Sequence, residues 1–321
     1  MDEGESPLFP PQFDFDQARG QLQHLVAQSP QNFGHNICRW QLQTIKDTVF
    51  WLEGLSLPGV WRHLKRAGIT LKKGREYVHS PDPEYLEKLA EVVRLLKSAI
   101  TSKGKIVVLF ADELTFYRQP TLASAYDLVG KHFQPLAQRS QRSNTSGRIG
   151  GAVNALSGQV NYVLASKCGL KQLLNLYEQI ADTYPDAELI YLVEDNWSVH
   201  FHPTILAALP PQETRFELKV SRSWANAKVQ PWTKNKLPIQ IVPLPTYASW
   251  CNPIEKLWRW LKQAVIHLHK QADQWDVLKE QIKMFLNRFE QASAELLKYI
   301  GLTENSNLYA EAISLLREKP T

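Results

Sequence analysis

The stretch around which this chain is organised reads Leu244-Pro-Thr-Tyr-Ala-Ser-Trp-Cys-Asn-Pro-Ile-Glu255-Lys-Leu-Trp-Arg-Trp-Leu-Lys262. It predicts a loop that turns abruptly into a helix, because Asn252 suits the N-cap and Pro253 suits the first helical position. The apolar residues that follow recur at helical spacing and form one stripe: Ile254, Leu257, Trp258, Leu261 and Val265. This stripe packs the helix against a core, so Glu255 is held at a defined place on the first turn.

Glu255 has two interpretations. The pattern from Asn252 to Glu255 resembles a capping box, in which the glutamate reaches back to the amide of the cap residue. Alternatively, Glu255 belongs to a site whose other members lie elsewhere in the chain. The choice between these two interpretations depends on whether the rest of the sequence supplies other carboxylates that could form a site with Glu255.

The bulk composition is that of an ordinary soluble globular chain. The 321 residues predict about two domains, with 44% hydrophobic and 21% charged residues. No run approaches the ~20 apolar residues of a membrane helix, and the acidic start does not resemble a signal peptide. The scattered Cys38, Cys168 and Cys251 lack metal-type spacing and indicate a reducing compartment.

The net charge of +5 is unevenly distributed. Residues 1–35 carry five acids and one arginine, whereas residues 36–80 carry eight Lys or Arg and three acids. A local basic segment of this kind favours a polyanion as partner. The alternative is a solvated face without a partner.

The first part of the chain predicts a small helix-turn-helix module preceded by an arm. Residues 1–32, rich in Pro, Gln and acids, predict a flexible or partly helical arm. Residues 33–80 predict a winged helix-turn-helix: a helix ending near Gly54, a second helix capped by Ser56, and a two-stranded wing over 69–78. In the second helix we expect three side chains to point inward, namely Val60, Trp61 and Leu64.

Six basic residues lie on and after this second helix: Arg62, Lys65, Arg66, Lys72, Lys73 and Arg75. The functional interpretation puts the helix in a major groove of DNA and the wing on phosphates. The alternative is a small helical packing module with a solvated face.

The second part of the chain predicts an α/β domain. Residues 81–104 predict a linker helix, residues 105–290 the α/β domain itself, and residues 291–321 a helical tail. Within the domain, a hairpin is predicted from Ile149 to Leu164, followed by a helix from Leu170 to Thr183.

Two buried strands of this domain end in acids. Ile106 to Phe110 is followed by Ala111-Asp112-Glu113, and Glu188 to Val193 is followed by Glu194-Asp195-Asn196. Because successive strand residues face opposite sides, only one acid of the Asp112–Glu113 pair can point into a site.

Three carboxylates from two strand ends and a helix start can converge over one sheet edge. Such acids repel one another unless a divalent cation neutralises them, and hard oxygen ligands suit Mg²⁺ or Mn²⁺. Two such ions activate a nucleophile and stabilise the leaving oxygen in phosphoryl transfer.

The acidic segments resemble the three motifs of DDE transposases of the mariner superfamily, in its bacterial insertion-sequence branch. They are Ala111-Asp112-Glu113, Leu192-Val-Glu-Asp195-Asn196 with His200, and Leu244-Pro-Thr-Tyr with Asn252-Pro-Ile-Glu255. Residues 33–80 resemble the winged helix-turn-helix of this family, so that the resemblance covers roughly residues 33–290.

The resemblance implies an RNase H-like mixed sheet flanked by helices. It implies that Asp112, Asp195 and Glu255 are the catalytic metal ligands for Mg²⁺ or Mn²⁺, with two ions. The supporting polar residues would be Glu113, Asn196, His200 and Asn252. It further implies double-stranded DNA as substrate, with inverted repeats at the ends and a TA-type target, a homodimer on DNA, and a bacterial cytoplasmic location.

Two features depart from the family pattern. Asp195 and Glu255 lie 60 positions apart, which is longer than the usual compact spacing, and an insertion is predicted at about 213–236. The basic residues in or near it indicate either a DNA-contacting loop or a solvated excursion. Family members commonly carry another helix-turn-helix before the winged one, for which the residues before about 33 are too few, too acidic and too rich in Pro.

Two rival functions remain open at this stage. One is an RNase H-like nuclease or resolvase that cuts DNA without joining it. The other is a DNA-binding protein with an inactive nuclease fold, such as a truncated transposase that represses its own element.

Overall fold

The computed structural model describes residues 14–72, 80–130, 132–218, 220–224 and 226–303. The chain divides into two compact units, Met1–Tyr77 and Val78–Thr321. In the described ranges, no helix combines the length and the apolar character needed to cross a bilayer.

The described part of the first unit contains the helices α1 (Phe15–Val26), α2 (Leu42–Thr48) and α3 (Leu57–Arg66). The predicted cap is confirmed, because the Ser56 hydroxyl accepts a hydrogen bond from the Gly59 amide. The predicted first helix is shorter than expected, since Val49 leaves the helical region and a 3₁₀ turn follows at Phe50–Leu52. Gly68 adopts φ +80° just beyond α3, which suits a residue without a Cβ.

Helix α1 confirms the partly helical alternative for the predicted arm, but this helix is packed into the first unit and is not flexible. Three apolar residues at helical spacing are buried in the core of the first unit: Ala18, Leu22 and Leu25. Between them, the Gln23 side chain donates a hydrogen bond to the Ala67 carbonyl at 3.0 Å. This helix is therefore part of the folded unit, while residues 1–13 lie outside the described residues.

The second unit contains a five-stranded mixed sheet in the order β3-β2-β1-β4-β5. Its strands are β1 (Ile106–Tyr117), β2 (Ser146–Asn154), β3 (Val160–Ala165), β4 (Leu189–Glu194) and β5 (Ile239–Pro243). β1, β2 and β3 pair antiparallel, whereas β4 runs parallel to both β1 and β5.

Helices cover both faces of this sheet, which confirms the predicted mixed sheet flanked by helices. They are α4 (Tyr85–Thr101), α5 (Leu170–Thr183), α6 (Pro203–Ala208), α7 (Ile254–Leu261), α8 (Trp275–Asn287) and α9 (Ala294–Ile300). One buried apolar cluster packs α4, α7, α8 and α9 against one face, and a second packs α5 and α6 against the other. Helix α4, predicted as a linker, is thus part of the core of the second unit.

Strand β1 extends beyond its predicted end at Phe110. Its pairing with β4 ends at Phe110 opposite Val193, but its pairing with β2 continues to Tyr117. Asp112 therefore lies within the strand, at the point where the parallel neighbour has stopped, and not at the end of the strand as predicted. The alternation continues through the acids, since Leu114 and Phe116 are buried on the same face as Phe110.

The segment predicted as an insertion lies between α6 and β5. Residues 210–238 are mainly irregular in their described part and contain one 3₁₀ turn, Arg222–Trp224. The predicted tail is described as far as residue 303 and contains α9, whereas residues 304–321 lie outside the described residues.

Candidate active site

A pocket of about 570 Å³ opens beside the ends of β4 and β5. The residues that line it include five of the predicted site residues: Asp112, Asp195, Asn196, Asn252 and Glu255. The structure thus brings the three acids predicted as catalytic to one pocket, although they come from β1, the end of β4 and the start of α7.

Asp112 is oriented by an indole from α7. The Trp258 Nε1 donates a hydrogen bond to Oδ2 of Asp112 at 2.9 Å. Trp258 can reach this position because Gly151 is paired with Asp112 and has no side chain: a Cβ there would lie 2.7 Å from the Trp258 ring. The glycine of β2 and the tryptophan of α7 together determine the direction of the Asp112 carboxylate.

Asp195 and Asn196 follow β4 and are held by short hydrogen bonds. The Trp197 amide donates to Oδ1 of Asp195 at 2.8 Å. The Asn196 side chain donates to the Leu244 carbonyl at 2.7 Å, which joins the ends of β4 and β5. Asp195 itself is exposed to solvent.

Glu255 lies on the first turn of α7, but it does not form the capping box that Asn252 suggested. The helix begins at Ile254, with Pro253 at the N-cap and no side-chain hydrogen bond to the cap. The Asn252 side chain instead donates to the Ala111 carbonyl at 2.9 Å, so that it ties the start of α7 to β1 beside Asp112. The capping interpretation is therefore wrong, and the side chain of Glu255 is directed to the pocket.

Two of the three carboxylates in the pocket, those of Asp112 and Glu255, have raised pKa values. Burial and the neighbouring Glu255 raise the pKa of Asp112 to about 7, with a further contribution from Asp195. Burial also raises the pKa of Glu255, with Asp195 adding to it and Lys262 and Arg259 opposing it. The pKa of Asp195 is lowered, because the hydrogen bond from the Trp197 amide and the nearby His200 outweigh the partial desolvation of the carboxylate.

The opposite face of the sheet carries a second, buried group of ionisable side chains. Glu113 and His200, predicted as supporting residues, lie here and do not line the pocket. His200 Nδ1 is 3.3 Å from Glu194 Oε2, and its Nε2 is 3.8 Å from Glu113 Oε1 and 3.5 Å from Asp195 Oδ1. The last distance is long for a hydrogen bond, so we interpret the His200–Asp195 contact as mainly electrostatic.

The side chains of this group shift the pKa values of one another. Burial alone would lower the pKa of His200, but the carboxylates of Glu194, Asp195 and Glu113 outweigh it and raise the pKa above its ordinary value. Burial raises the pKa of Glu194, which also accepts hydrogen bonds from the Tyr177 hydroxyl at 3.1 Å. His200 thus links the buried carboxylates to the carboxylate of Asp195 in the pocket.

Sequence reasoning missed three residues of this site: Trp258, Tyr177 and Glu194. The apolar stripe predicts a buried Trp258, and its ring indeed belongs to the core. Its indole nitrogen, however, donates a hydrogen bond to Asp112. The signal for Glu194 was available, because its position next to Asp195 repeats the Asp112–Glu113 pair on the neighbouring strand. Tyr177 carries no sequence signal of this contact.

The basic residues predicted to bind DNA lie in the first unit. Arg62, Lys65, Arg66 and Lys72 are exposed, whereas Lys73 and Arg75 lie outside the described residues. The prediction that Trp61 points inward is wrong. Its side chain is 49% exposed, and the Lys65 ammonium lies 5.2 Å from the centroid of its ring. The predicted wing falls mostly on residues 73–79, which also lie outside the described residues.

The acidic pocket suits hard divalent cations whose coordination shell is completed by oxygen atoms of the substrate. Within the described residues, no three His, Cys, Asp or Glu side chains lie close enough to hold a metal ion by themselves. Mg²⁺ characteristically keeps several waters and binds through one or two carboxylates together with phosphate oxygens of the substrate. Asp112 and Glu255, whose pKa values are raised by burial and further by neighbouring carboxylates, fit that mode of binding, since a cation would stabilise their ionised forms.

The mixed sheet and the acidic pocket define the class that the motifs predicted, an RNase H-like fold with a carboxylate site. Residues 107–279 match the family model described as DDE superfamily endonuclease. Because this match covers more than half of the chain, the protein belongs to the DDE superfamily endonuclease family.

Individual relatives agree with this assignment. The insertion element IS630 39 kDa protein of Shigella sonnei is 23% identical over 261 residues, which are 81% of this chain and 67% of that protein. Among solved structures, the Mos1 mariner paired end complex with Mn matches with a TM-score of 0.58 at 17% identity, over 97% of this chain and 82% of that chain. A pre-cleavage Mos1 transpososome matches with a TM-score of 0.57 at 16% identity, over 100% of this chain and 83% of that chain. The family model thus confirms the DDE part of the predicted resemblance, and the structures show that the fold is similar to that of Mos1 mariner transposase.

Proposed function

We propose that the protein is an insertion-sequence transposase that cleaves DNA at transposon ends and joins the released end to target DNA. The observation that carries this proposal is the meeting of Asp112, Asp195 and Glu255 in one pocket. Family membership and the likeness to an insertion-element protein support it.

Within this proposal, the three acids hold divalent cations, Mg²⁺ or Mn²⁺, two in number. The chemistry that such cations supply when bound is activation of the attacking oxygen and stabilisation of the leaving oxygen. The same fold in solved Mos1 structures has been described with Mn and with Mg, which supports a divalent ion here.

The side chains of this chain position the reacting groups. In the first step a water attacks the scissile phosphorus, the bond from phosphorus to the 3′ oxygen breaks, and a 3′-hydroxyl leaves. In the second step that 3′-hydroxyl attacks a phosphorus of the target strand and displaces a target 3′ oxygen. Trp258 and Asn252 hold Asp112 and the start of α7 in place, so that the acids need little reorganisation during either step.

We extend the proposal to the mode of DNA binding. The exposed cations on and after α3 would contact phosphates and groove edges, as expected of a helix-turn-helix. We further propose that the protein acts as a homodimer on DNA. In support, the irregular segment that follows β1 exposes several large apolar side chains that a second copy can cover: Leu122, Tyr126, Leu128, Val129, Phe133 and Leu136.

The decisive experiment uses a duplex that carries the inverted repeat flanking the gene. Asp195→Asn is expected to bind this duplex like the wild type but to lose Mg²⁺-dependent cleavage. Asp186→Asn, which removes an exposed acid outside the pocket, is the matched control and is expected to cleave normally. Cleavage by Asp195→Asn at the wild-type rate would refute the proposal.

The same assay separates the rival functions. A labelled target duplex reports strand transfer, which a nuclease or resolvase would not perform. Binding without cleavage by the wild-type protein would instead identify an inactive, repressor-like protein.

A further inference from the structure

The connection from α6 to β5 carries a concentration of positive charge. Its last part, residues 218–238, contains five Lys or Arg and no Asp or Glu. This local excess is as large as the formal net charge of +5 of the whole chain. We refer to residues 218–238 as the basic segment. Its cations are Lys219, which lies outside the described residues, and Arg222, Lys228, Lys234 and Lys236.

The beginning of the same connection covers an exposed edge of the sheet. β5 is the last strand of the sheet, and the Gln212 side chain takes the place of a further strand beside it. Its Oε1 accepts a hydrogen bond from the Ile241 amide at 2.7 Å, and its Nε2 donates to the Ile239 carbonyl at 3.3 Å. Covering an edge strand prevents its pairing with another chain. This role belongs to Gln212 and does not explain the charge of the basic segment.

The middle of the basic segment is attached close to the second acid of the pocket. The Trp224 ring packs against the ring of His202, with centroids 4.9 Å apart. His202 is 8% exposed and follows Asp195 by seven positions in the chain. The Gln230 amide donates to the Thr204 hydroxyl at 3.2 Å. These contacts hold this part of the basic segment against the chain that leaves the pocket after Asp195.

Two cations of the basic segment are available to a ligand. Lys234 forms an ion pair with Glu178 on α5 and is thus partly neutralised. Arg222 and Lys228 are exposed, and the ion pairs of the described residues involve neither of them. Their charges therefore face solvent from a backbone that is fixed to the second unit.

The acidic pocket by itself repels the DNA that enters it. Carboxylates and phosphodiesters carry charge of the same sign, and the described lining of the pocket includes no Lys or Arg. Two cations of α7 act on Glu255. Arg222 and Lys228 supply further positive charge, on a segment that contacts the chain just after Asp195. The basic segment is therefore suited to offset the repulsion of an incoming phosphate backbone.

The two DNA molecules of a transposition reaction make different demands on the protein. An element end must be recognised by its sequence, which a helix in a groove reads from the edges of the bases. Target DNA differs from one insertion to the next, so much of its affinity must come from contacts to phosphates, which carry no sequence information. Long, flexible cationic side chains on an irregular segment suit the second demand.

We propose that Arg222 and Lys228 bind backbone phosphates of the target duplex during strand transfer. This inference rests on the proposed function, because it concerns the second DNA molecule that enters the same pocket. It gives the long connection between Asp195 and Glu255 a role in holding target DNA in addition to covering β5.

The test compares the wild type with two double variants. Arg222→Gln with Lys228→Gln removes both charges and keeps polar side chains, whereas Arg222→Lys with Lys228→Arg keeps both charges. The matched control, Lys97→Gln with Lys298→Gln, removes two exposed cations from α4 and α9, which pack on the sheet face opposite to α5 and α6. Thermal unfolding verifies that all variants are folded.

Binding and chemistry are measured separately, each at several salt concentrations. Without divalent ions, the fluorescence anisotropy of a labelled target duplex reports its binding to protein that is already saturated with a pre-cleaved element end. With Mg²⁺, one reaction follows cleavage of an intact element end in the absence of target. A second reaction follows strand transfer from the pre-cleaved end into a subsaturating amount of target duplex.

The charge-removing variant should reduce the slope of log target affinity against log salt concentration by about 1.8, because each phosphate contact contributes about 0.9. Its strand transfer at about 0.15 M salt should fall about tenfold or more. Its cleavage of the intact element end should proceed at the wild-type rate. The charge-keeping variant and the control should match the wild type in all three measurements.

An unchanged slope and an unchanged rate of strand transfer would overturn this inference and leave the proposed function intact, since the basic segment would then be a solvated cover of the sheet edge. An equal loss of element-end binding and cleavage would also overturn it, because Arg222 and Lys228 would then contact the element end. If the wild type itself neither cleaves an end nor transfers a strand, the proposed function fails and this inference fails with it. The activity of the wild type thus distinguishes the two failures.

Discussion

The indole nitrogen of Trp258 donates a hydrogen bond to the Asp112 carboxylate at 2.9 Å, between residues 146 positions apart in the chain. Trp258 is 1% exposed, so its ring is fixed by the core while its nitrogen reaches the pocket. Burial and Glu255 raise the pKa of Asp112 to about 7, and this hydrogen bond acts against them. Trp258 therefore favours the ionised form of Asp112 and fixes its direction.

Substitution of Trp258 by Phe tests this relationship. The variant keeps most of the buried ring but loses the hydrogen bond, so we expect a destabilisation of about 1–3 kcal/mol and about a tenfold loss of cleavage rate. Urea unfolding and single-turnover cleavage measure the two effects. Trp260→Phe is the matched control on the same helix, because Trp260 packs against Phe285, Phe289 and Tyr299. A variant with normal cleavage would show that Asp112 needs no such orientation.

Gly151 and Gly150 provide a second, paired test. A Cβ at Gly151 would lie 2.7 Å from the Trp258 ring, whereas a Cβ at Gly150 would meet its nearest atom, in Val163, at 3.5 Å. We expect Gly151→Ala to cost about 1–3 kcal/mol of stability by overpacking and to impair cleavage by displacing Trp258. Gly150→Ala should be nearly neutral. Thermal unfolding of both variants checks this, and equal effects would contradict the proposed role of Gly151.

The parts of this site that follow from local pattern could be predicted from sequence. The apolar runs before Asp112 and Asp195 predicted two buried strands, and parallel strands end at the same edge of a sheet, so convergence of the acids was expected. The stripe from Ile254 to Leu261 predicted α7 because the 3.6-residue period is read directly from the chain.

The parts that depend on distant pairing could not be predicted. Strand β1 continues past Asp112 because β2 still pairs with it after β4 has ended. The local sequence of β1 does not indicate that only one of its two neighbouring strands extends this far. The local sequence predicted Asn252 as an N-cap, but its side chain instead donates a hydrogen bond to the Ala111 carbonyl, 141 positions away. For α1, the helical spacing of Ala18, Leu22 and Leu25 was visible, but the Pro- and Gln-rich composition outweighed it.

Glu255→Gln separates the catalytic role of this residue from a structural one. Since the described structure shows no side-chain cap on α7, the substitution should change the free energy of unfolding by no more than about 0.5 kcal/mol. Cleavage should nevertheless be abolished, because an amide is a much poorer ligand for a hard cation. Unfolding curves and the cleavage assay give the two readouts, and retained activity would exclude Glu255 from the metal-binding set.

The exposed cations of the first unit predict the salt dependence of DNA binding. If Arg62 and Lys65 each contact a phosphate, the alanine variant at either position should reduce the slope of log affinity against log salt concentration by about 0.9. Fluorescence anisotropy over a range of salt concentrations measures this slope. Lys97→Ala, which removes a cation from α4, is the control and should leave the slope unchanged. A slope that neither Arg62→Ala nor Lys65→Ala alters would exclude these two residues from the DNA interface.

The raised pKa of Asp112 predicts how stability and metal binding depend on pH. Its pKa of about 7 lies above the ordinary value of 3.8, so the folded protein retains a proton that the unfolded chain releases between these values. The stability that Asp112 contributes is therefore complete below about pH 4 and is lost as the pH rises to about 7.

A divalent cation must displace the proton on Asp112, so the stabilising effect of the cation should grow as the pH rises through 7. Melting temperatures between about pH 5 and pH 8, with and without Mg²⁺, measure both trends. Because Glu113 also has a pKa raised to about 7, the contribution of Asp112 is read as the difference between the wild type and Asp112→Asn. A shift by Mg²⁺ that is independent of pH would contradict the assignment of Asp112 as a cation ligand.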